Sequence, residues 1–270
     1  MLNQVANESI NRTQDNLSAA MVRLSTAQRI NRAQDDAAGQ AITNAMQSEL
    51  RSNSQASRNL SDALSLTATA GAALDQAQDV VQRMRELALQ ANKSTTAQSD
   101  RQSIQQEIAQ LNEQLQQLAD STRFNGQRLL DGQFRAQIQS GPEAGDTKTI
   151  ALKSVSPQAL QTEALDVGQR ESAAENLRAI DSALAQIDDE RANIGAAQGA
   201  MASRQANLRG VYEKLANAKS QIADTDFAKE TREMQRQQLS EAVAAKALSL
   251  YKSNAPDLDR LLDTRRKESA

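Results

Sequence analysis

The sequence predicts a mainly α fold: long antiparallel helices in a rod-like coiled-coil bundle, with one small β-hairpin region. Three observations predict it. Ile180, Ile187, Ile194, Met201, Leu208, Leu215 and Ile222 each follow the last by seven residues, the beat of a helix that buries one narrow stripe. Only three Phe, two Tyr and no Trp are available to fill a core, so thin helical layers fit better than a roomy interior. The three prolines, Pro142, Pro157 and Pro256, leave long stretches without interruption, and five of the glycines cluster between Gly126 and Gly168.

Residues 1–31 read as the N-terminal helix of a terminal coiled-coil domain, with a thin stripe of Ile10, Leu17, Met21 and Leu24. Residues 32–130 read as the N-terminal rod helices. Their seam is Leu60, Leu64, Thr67, Gly71, Leu74, Val81, Met84, Ala88 and Ala91, alternating steps of three and four with one full heptad skipped between Leu74 and Val81. Gly71 on that seam implies close approach of a neighbouring helix. After a polar turn over 92–100, Ile104, Ile108, Leu111, Leu115 and Leu118 resume the beat, with Ser99 or Asp100 as the N-cap.

Residues 131–170 are expected to hold the β-hairpin, because Phe134, Ala136 and Ile138 alternate before a Gly-Pro-Glu-Ala-Gly turn and a second alternating run at 149–152. Residues 171–223 form the long C-terminal rod helix, roughly 45 to 50 residues, about 70 Å at 1.5 Å per residue. Its companion seam, Leu177, Leu184, Arg191, Gln198, Gln205 and Tyr212, is half polar, so the earlier helices must pack against it. Residues 224–270 are the C-terminal helix of the terminal domain plus a polar tail, with Met234, Leu239, Val243, Leu248, Tyr251, Leu258, Leu261 and Leu262 as its stripe. A buried Leu contributes about 1.5–3 kcal/mol while each ordered residue costs about 1–2 kcal/mol. One apolar residue in seven, as in the long rod helix, therefore cannot hold an isolated helix; the ends look weaker still, and they are expected to be largely disordered alone and to pair with each other or with copies of themselves.

Cysteine and histidine are absent, which removes thiol nucleophiles, thiolate and imidazole metal sites and the commonest general base. No catalytic site, cofactor or metal is expected, and the protein is not expected to be an enzyme. The net charge of -3 and pI near 5.3 give no basic field for nucleic acid. No run approaches 18 apolar residues, so no membrane insertion is expected, and the first ten residues lack the pattern of a cleaved signal. Asp35 and Asp36 read as residues that cap and turn the chain. Asp188, Asp189 and Glu190 read as a solvated acidic face between the buried Ile187 and Ile194.

Several segments then resemble the bacterial flagellins. Arg23-Leu-Ser-Thr-Ala-Gln-Arg-Ile-Asn-Arg-Ala-Gln-Asp-Asp-Ala-Ala-Gly-Gln-Ala-Ile42 and Val81-Gln-Arg-Met-Arg-Glu-Leu-Ala-Leu-Gln-Ala91 carry the likeness. Ser103-Ile-Gln-Gln-Glu-Ile108, Thr122-Arg-Phe-Asn-Gly-Gln-Arg-Leu-Leu130 and Ile222-Ala-Asp-Thr-Asp-Phe-Ala228 continue it in order. The resemblance implies a short form without large outer domains: an extracellular filament subunit supporting motility, passed through the flagellar type III export apparatus by a chaperone without a cleaved signal. It implies polymerisation with itself beside cap and hook-junction proteins, and leaves Leu17, Met21, Leu24, Leu248, Leu258, Leu261 and Leu262 as the residues expected to carry assembly. It also implies a contact surface for a host Toll-like receptor, here Arg83, Leu87 and Glu107. The rivals are a hook-filament junction protein and a non-polymerising flagellin-like surface-binding protein. Two departures stand out: Thr26-Ala27-Gln28 replaces the family's usual Ser-Gly-Leu at an expected bend, and Asp257 and Asp259 enter the C-terminal stripe before a polar tail from Asp263 to Ala270.

Overall fold

The structure is a computed structural model that describes the backbone of residues 2–169 and 172–268, and the side chains of residues 4, 7–169 and 172–250. The elements run α1 (Leu2–Thr26), α2 (Ala37–Ala91), α3 (Gln98–Ser121), β1 (Arg123–Phe124), β2 (Gln127–Arg128), β3 (Arg135–Gln139), β4 (Thr147–Ala151), α4 (Ala173–Ala223) and α5 (Phe227–Glu268). They divide into two compact units, Met1–Ser48 with Lys214–Ala270, and Glu49–Glu213.

In the unit Glu49–Glu213, the seam expected from the sequence is the core. Leu60, Leu74, Val81, Met84 and Ala88 of α2 bury against Ile104, Ile108 and Leu115 of α3 and the stripe Ile180, Ile187, Ile194, Met201 and Leu208 of α4. The polar half of the second α4 seam is explained by what it meets. Arg191 pairs with Asp75 at 2.6 Å and reaches Gln78, Gln78 donates to Asp188 at 3.0 Å, and Gln205 donates to Ser61 at 2.8 Å. With Arg85 to Asp181 at 2.7 Å, these contacts fix an antiparallel register in which each turn gained on α2 is a turn lost on α4. At 51 residues, α4 slightly exceeds the length expected.

Two antiparallel hairpins follow α3, where the alternation pointed to one. The hairpin of β3 and β4 has the expected pairing, Ala136 opposite Ile150 and Ile138 opposite Lys148. The other, β1 with β2, turns on Asn125 and Gly126 at φ of 48° and 81°, the mirror-image turn that Asn-Gly favours because both central residues are left-handed. From Leu152 to Val167 the chain is irregular, yet Leu152, Val155, Leu160, Leu165 and Val167 are buried. Side chains of α3 spaced seven apart hold its backbone: Gln98 donates to the Gly168 carbonyl at 3.3 Å, Gln105 to that of Leu165 at 2.8 Å and Asn112 to that of Thr162 at 3.0 Å.

Three expectations are corrected here. A Cβ at Gly71 would meet open space, so among the described residues no neighbouring helix closes on that face. The N-cap of α3 is Ala97, without a side-chain cap bond, so neither Ser99 nor Asp100 fills that role. Asp188 and Asp189 are solvated, but Glu190 is only 4% exposed because its Oε1 accepts the Lys153 backbone N–H at 3.1 Å. The turn after β4 folds over it.

In the other unit, α1 and α5 pack antiparallel, with Gln14 donating to Glu241 at 2.9 Å and Arg23 paired with Glu230 at 2.6 Å. Their inner ends are clasped. The Arg29 backbone N–H donates to the Ala223 carbonyl at 2.7 Å, its guanidinium to the Ile222 carbonyl at 2.6 Å, and the Thr225 N–H to the Ala27 carbonyl at 3.0 Å. The Ile222 and Ala223 carbonyls are the last of α4, where a helix end leaves acceptors unpaired and carries the negative end of the helix dipole.

Candidate assembly surface

The positions of α1 that face α5 are Thr13, Leu17, Ala20 and Leu24, spaced four, three and four apart, the a/d spacing of a coiled-coil seam. Thr13 and Ala20 are buried and the two leucines half-buried. On α5 Glu230, Met234, Gln237, Glu241, Ala244 and Leu248 are half-buried and keep the same rhythm, with Thr231 and Glu233 half-buried beside them. Half of that seam is polar, which is why Arg23 and Gln14 find carboxylates there. Leu17, Leu24 and Leu248 therefore lie within the pair, and Met21, one residue off the seam, is 49% exposed. Leu258, Leu261 and Leu262 have side chains outside the described residues.

Sequence reasoning placed Leu239 and Val243 in the C-terminal stripe without selecting them for assembly. They are 66% and 61% exposed, on the face of α5 turned away from its seam. Val22 of α1 and Phe227 at the start of α5 are exposed too. In the run Leu239-Ser-Glu-Ala-Val243 the apolar residues fall between seam positions instead of on them, which shows only once packing fixes the seam. A helix apolar on two faces needs cover on two faces.

The connector between α1 and α2 is set by two carboxylates. Asp35 Oδ2 accepts the backbone N–H of Arg32 at 2.8 Å and of Asn31 at 2.9 Å; these bonds, the Arg32 one first, hold its carboxyl below the usual aspartate range. Asp36 is the N-cap of α2 and accepts the Gly39 N–H at 2.8 Å. The expected cap-and-turn role is thus the observed one. Ala27, at the bend where the sequence departs from the family, has φ of 58°, a left-handed conformation that costs an L-residue about 1–2 kcal/mol.

Arg83 and Glu107 are brought together, the guanidinium donating through Nη2 at 2.9 Å and to Glu86 through Nη1 at 3.1 Å. The Glu107 hydrogen bond first, then the Glu86 one, holds Arg83 above its ordinary value. Both side chains remain about half exposed. Leu87 is 2% exposed; it packs in the core beneath them and presents no surface. Among the described residues, no helix is long and apolar enough to cross a membrane.

An antiparallel helical pair that seals one face and leaves another apolar face in water is the build of a structural subunit that assembles. The comparisons give that class its family. Residues 1–135 match the bacterial flagellin N-terminal helical region and residues 177–257 the bacterial flagellin C-terminal helical region. A flagellin of Halalkalibacterium halodurans is 39% identical over 235 residues, covering 84% of this chain and 86% of that one. A Salmonella enteritidis flagellin is 35% identical over 233 residues, covering 83% of this chain and 46% of its own length, so the chain spans about half of that longer relative. The crystal structure of Bacillus cereus flagellin aligns with TM-score 0.51 and 32% identity, over 56% of this chain and 88% of that one. The chain belongs to the bacterial flagellin family. It is a structural protein of the extracellular flagellar filament and not an enzyme.

Proposed function

We propose that this flagellin polymerises by burying the outward faces of α1 and α5 against the same helices of other copies. The observation that carries the reading is the second apolar face of α5, Leu239 and Val243, which α1 leaves in water. Burying one such side chain is worth about 1.5–3 kcal/mol, and a lattice repeats that gain at every subunit. Leu17, Leu24 and Leu248 hold α1 and α5 together so that Met21, Leu239 and Val243 are presented; Leu258, Leu261 and Leu262, whose side chains lie outside the described residues, are assigned to assembly from the apolar stripe of the sequence alone.

The remaining partners are read from the family: the flagellar export chaperone and apparatus, the filament cap, the hook-junction proteins and a host Toll-like receptor. For the receptor, the exposed Arg83 and Glu107 pair supports the reading, with Leu87 supporting their helices from inside. Purified monomer should then elicit a receptor signal that Arg83→Ala weakens; an unchanged signal contradicts it. For assembly, the test is electron microscopy of the full chain with short filament seeds beside a Leu239→Asp, Val243→Asp double variant. Filaments from the parent and soluble monomer from the variant support the reading, and equal filaments from both contradict it.

A further inference from the structure

Asn53 stands seven residues before Leu60 on α2, on the face that also buries Thr67 and Leu74. It is 1% exposed, and neither its Oδ1 nor its Nδ2 has a partner. Among the described residues it is the one buried side chain with two polar atoms left unpaired. Thr67 meets the same surroundings differently: its hydroxyl donates to the Ala63 carbonyl at 2.9 Å and lies 3.0 Å from that of Leu64, so its own helix satisfies it. The amide of Asn53 carries two donors and an acceptor and finds none of this. A buried amide without hydrogen bonds disfavours the closed state.

That penalty falls at the end of the buried α4 stripe, where α2 still buries Leu50 and Ala56 and Gln205 reaches Ser57 and Ser61. The antiparallel register set by Asp75 with Arg191 and Ser61 with Gln205 carries Asn53 toward residues 209–213 of α4. In this unit Leu208 is the last buried member of the α4 stripe, and Val211 and Tyr212 beyond it are exposed. Gly210 lies nearby within the continuous α4 helix, with no atom within 4 Å of where its Cβ would be, so it lowers helix propensity there without a packing role. The ion pairs that tie α2 to α4 here, Arg85 to Asp181 and Asp75 to Arg191, lie several turns away.

We propose that Asn53 makes this end of the α2 and α4 seam a built-in opening point, at which residues 49–57 and 205–213 part before the rest of the pair. Opening lets water reach the amide, so the closed and open states differ by less here than anywhere along Leu60 to Ala88. The residue is a polar choice at a position where leucine has the same number of heavy atoms, and threonine would repeat the solution seen at position 67.

Hydrogen–deuterium exchange on the full-length monomer tests this, comparing the parent with Asn53→Leu and Asn53→Thr. In the parent, amides of 49–57 and 205–213 should exchange faster than those of 74–88 and 180–194. At least one of the two variants should slow the first set about tenfold or more and leave the second set unchanged, with a melting temperature raised by roughly 2–4 °C. If neither variant slows exchange at 49–57, the amide is satisfied in solution and the opening point does not exist. A variant pair that both fail to fold would overturn the proposal equally, because it requires that an apolar or self-satisfied side chain fits better than asparagine.

Discussion

At Gly39 the backbone of the connector, the cap of α2 and a buried isoleucine meet at one point. A Cβ there would lie 2.4 Å from Asp36 Oδ2 and 2.7 Å from Ile30 Cδ1, so Gly39→Ala must push the capping carboxylate off its N–H. Losing an N-cap costs about 0.5–2 kcal/mol, and urea denaturation of the monomer should show a destabilisation of that size. Ala27 offers the opposite change. Glycine relieves its left-handed strain of about 1–2 kcal/mol but adds about 0.5–1 kcal/mol of chain entropy, so Ala27→Gly should stabilise the clasp by up to about 1 kcal/mol, read in the same experiment. Asp35 sets a pH dependence. Its folded carboxyl titrates below the ordinary range, so its support of the turn is complete above the unfolded value of about 3.9 and is lost as pH falls through the lower folded value. The Arg32 amide resonance should follow a midpoint below that of a model aspartate; a midpoint at or above it means the two backbone bonds are not made in solution. The acids Asp35 and Asp36 could be read as caps from the sequence, whereas the strain at Ala27 needed the backbone.

Among elements, the helices were legible because burying one stripe forces a repeat near 3.5 residues, and Ile180 to Leu208 obeys it without exception. The β3 and β4 register was legible for the matching reason, a period of two. Much less visible was the segment from Leu152 to Val167. It has no period of its own and is held by Gln98, Gln105 and Asn112, whose hydrogen bonds reach 50 to 70 residues along the chain. The Asn125-Gly126 hairpin was a missed local signal, since that dipeptide is a strong turn former. Gly71 was read as a close contact and proves to face open space. Gly71→Ala should therefore raise the stability of the monomer by about 0.5–1 kcal/mol through helix propensity alone. If it lowers stability instead, a neighbouring group does occupy that face in solution. Truncating the core gives the contrast: Met84→Ala, fully buried, should cost about 2–5 kcal/mol, seen as a lower urea midpoint with an unchanged slope.

For the molecule as a whole, the central claim is that the face of α5 away from α1 is covered by other copies. Composition anticipated end helices too thin to stand alone, and the seam between α1 and α5 is half polar. Which apolar residues point outward was not legible, because the stripe of α5 mixes two faces and only the packing against α1 separates Leu248 from Leu239. The sequence has no cysteine, so Leu239→Cys places a single thiol on the claimed surface. We would measure its rate of modification by a maleimide in soluble monomer and in sedimented filaments. The account predicts fast labelling in the monomer and labelling slowed at least about a hundredfold in the filament, the effect of a burial worth about 2.7 kcal/mol. Equal rates in the two states would contradict it and leave the outward face of α5 exposed in the polymer.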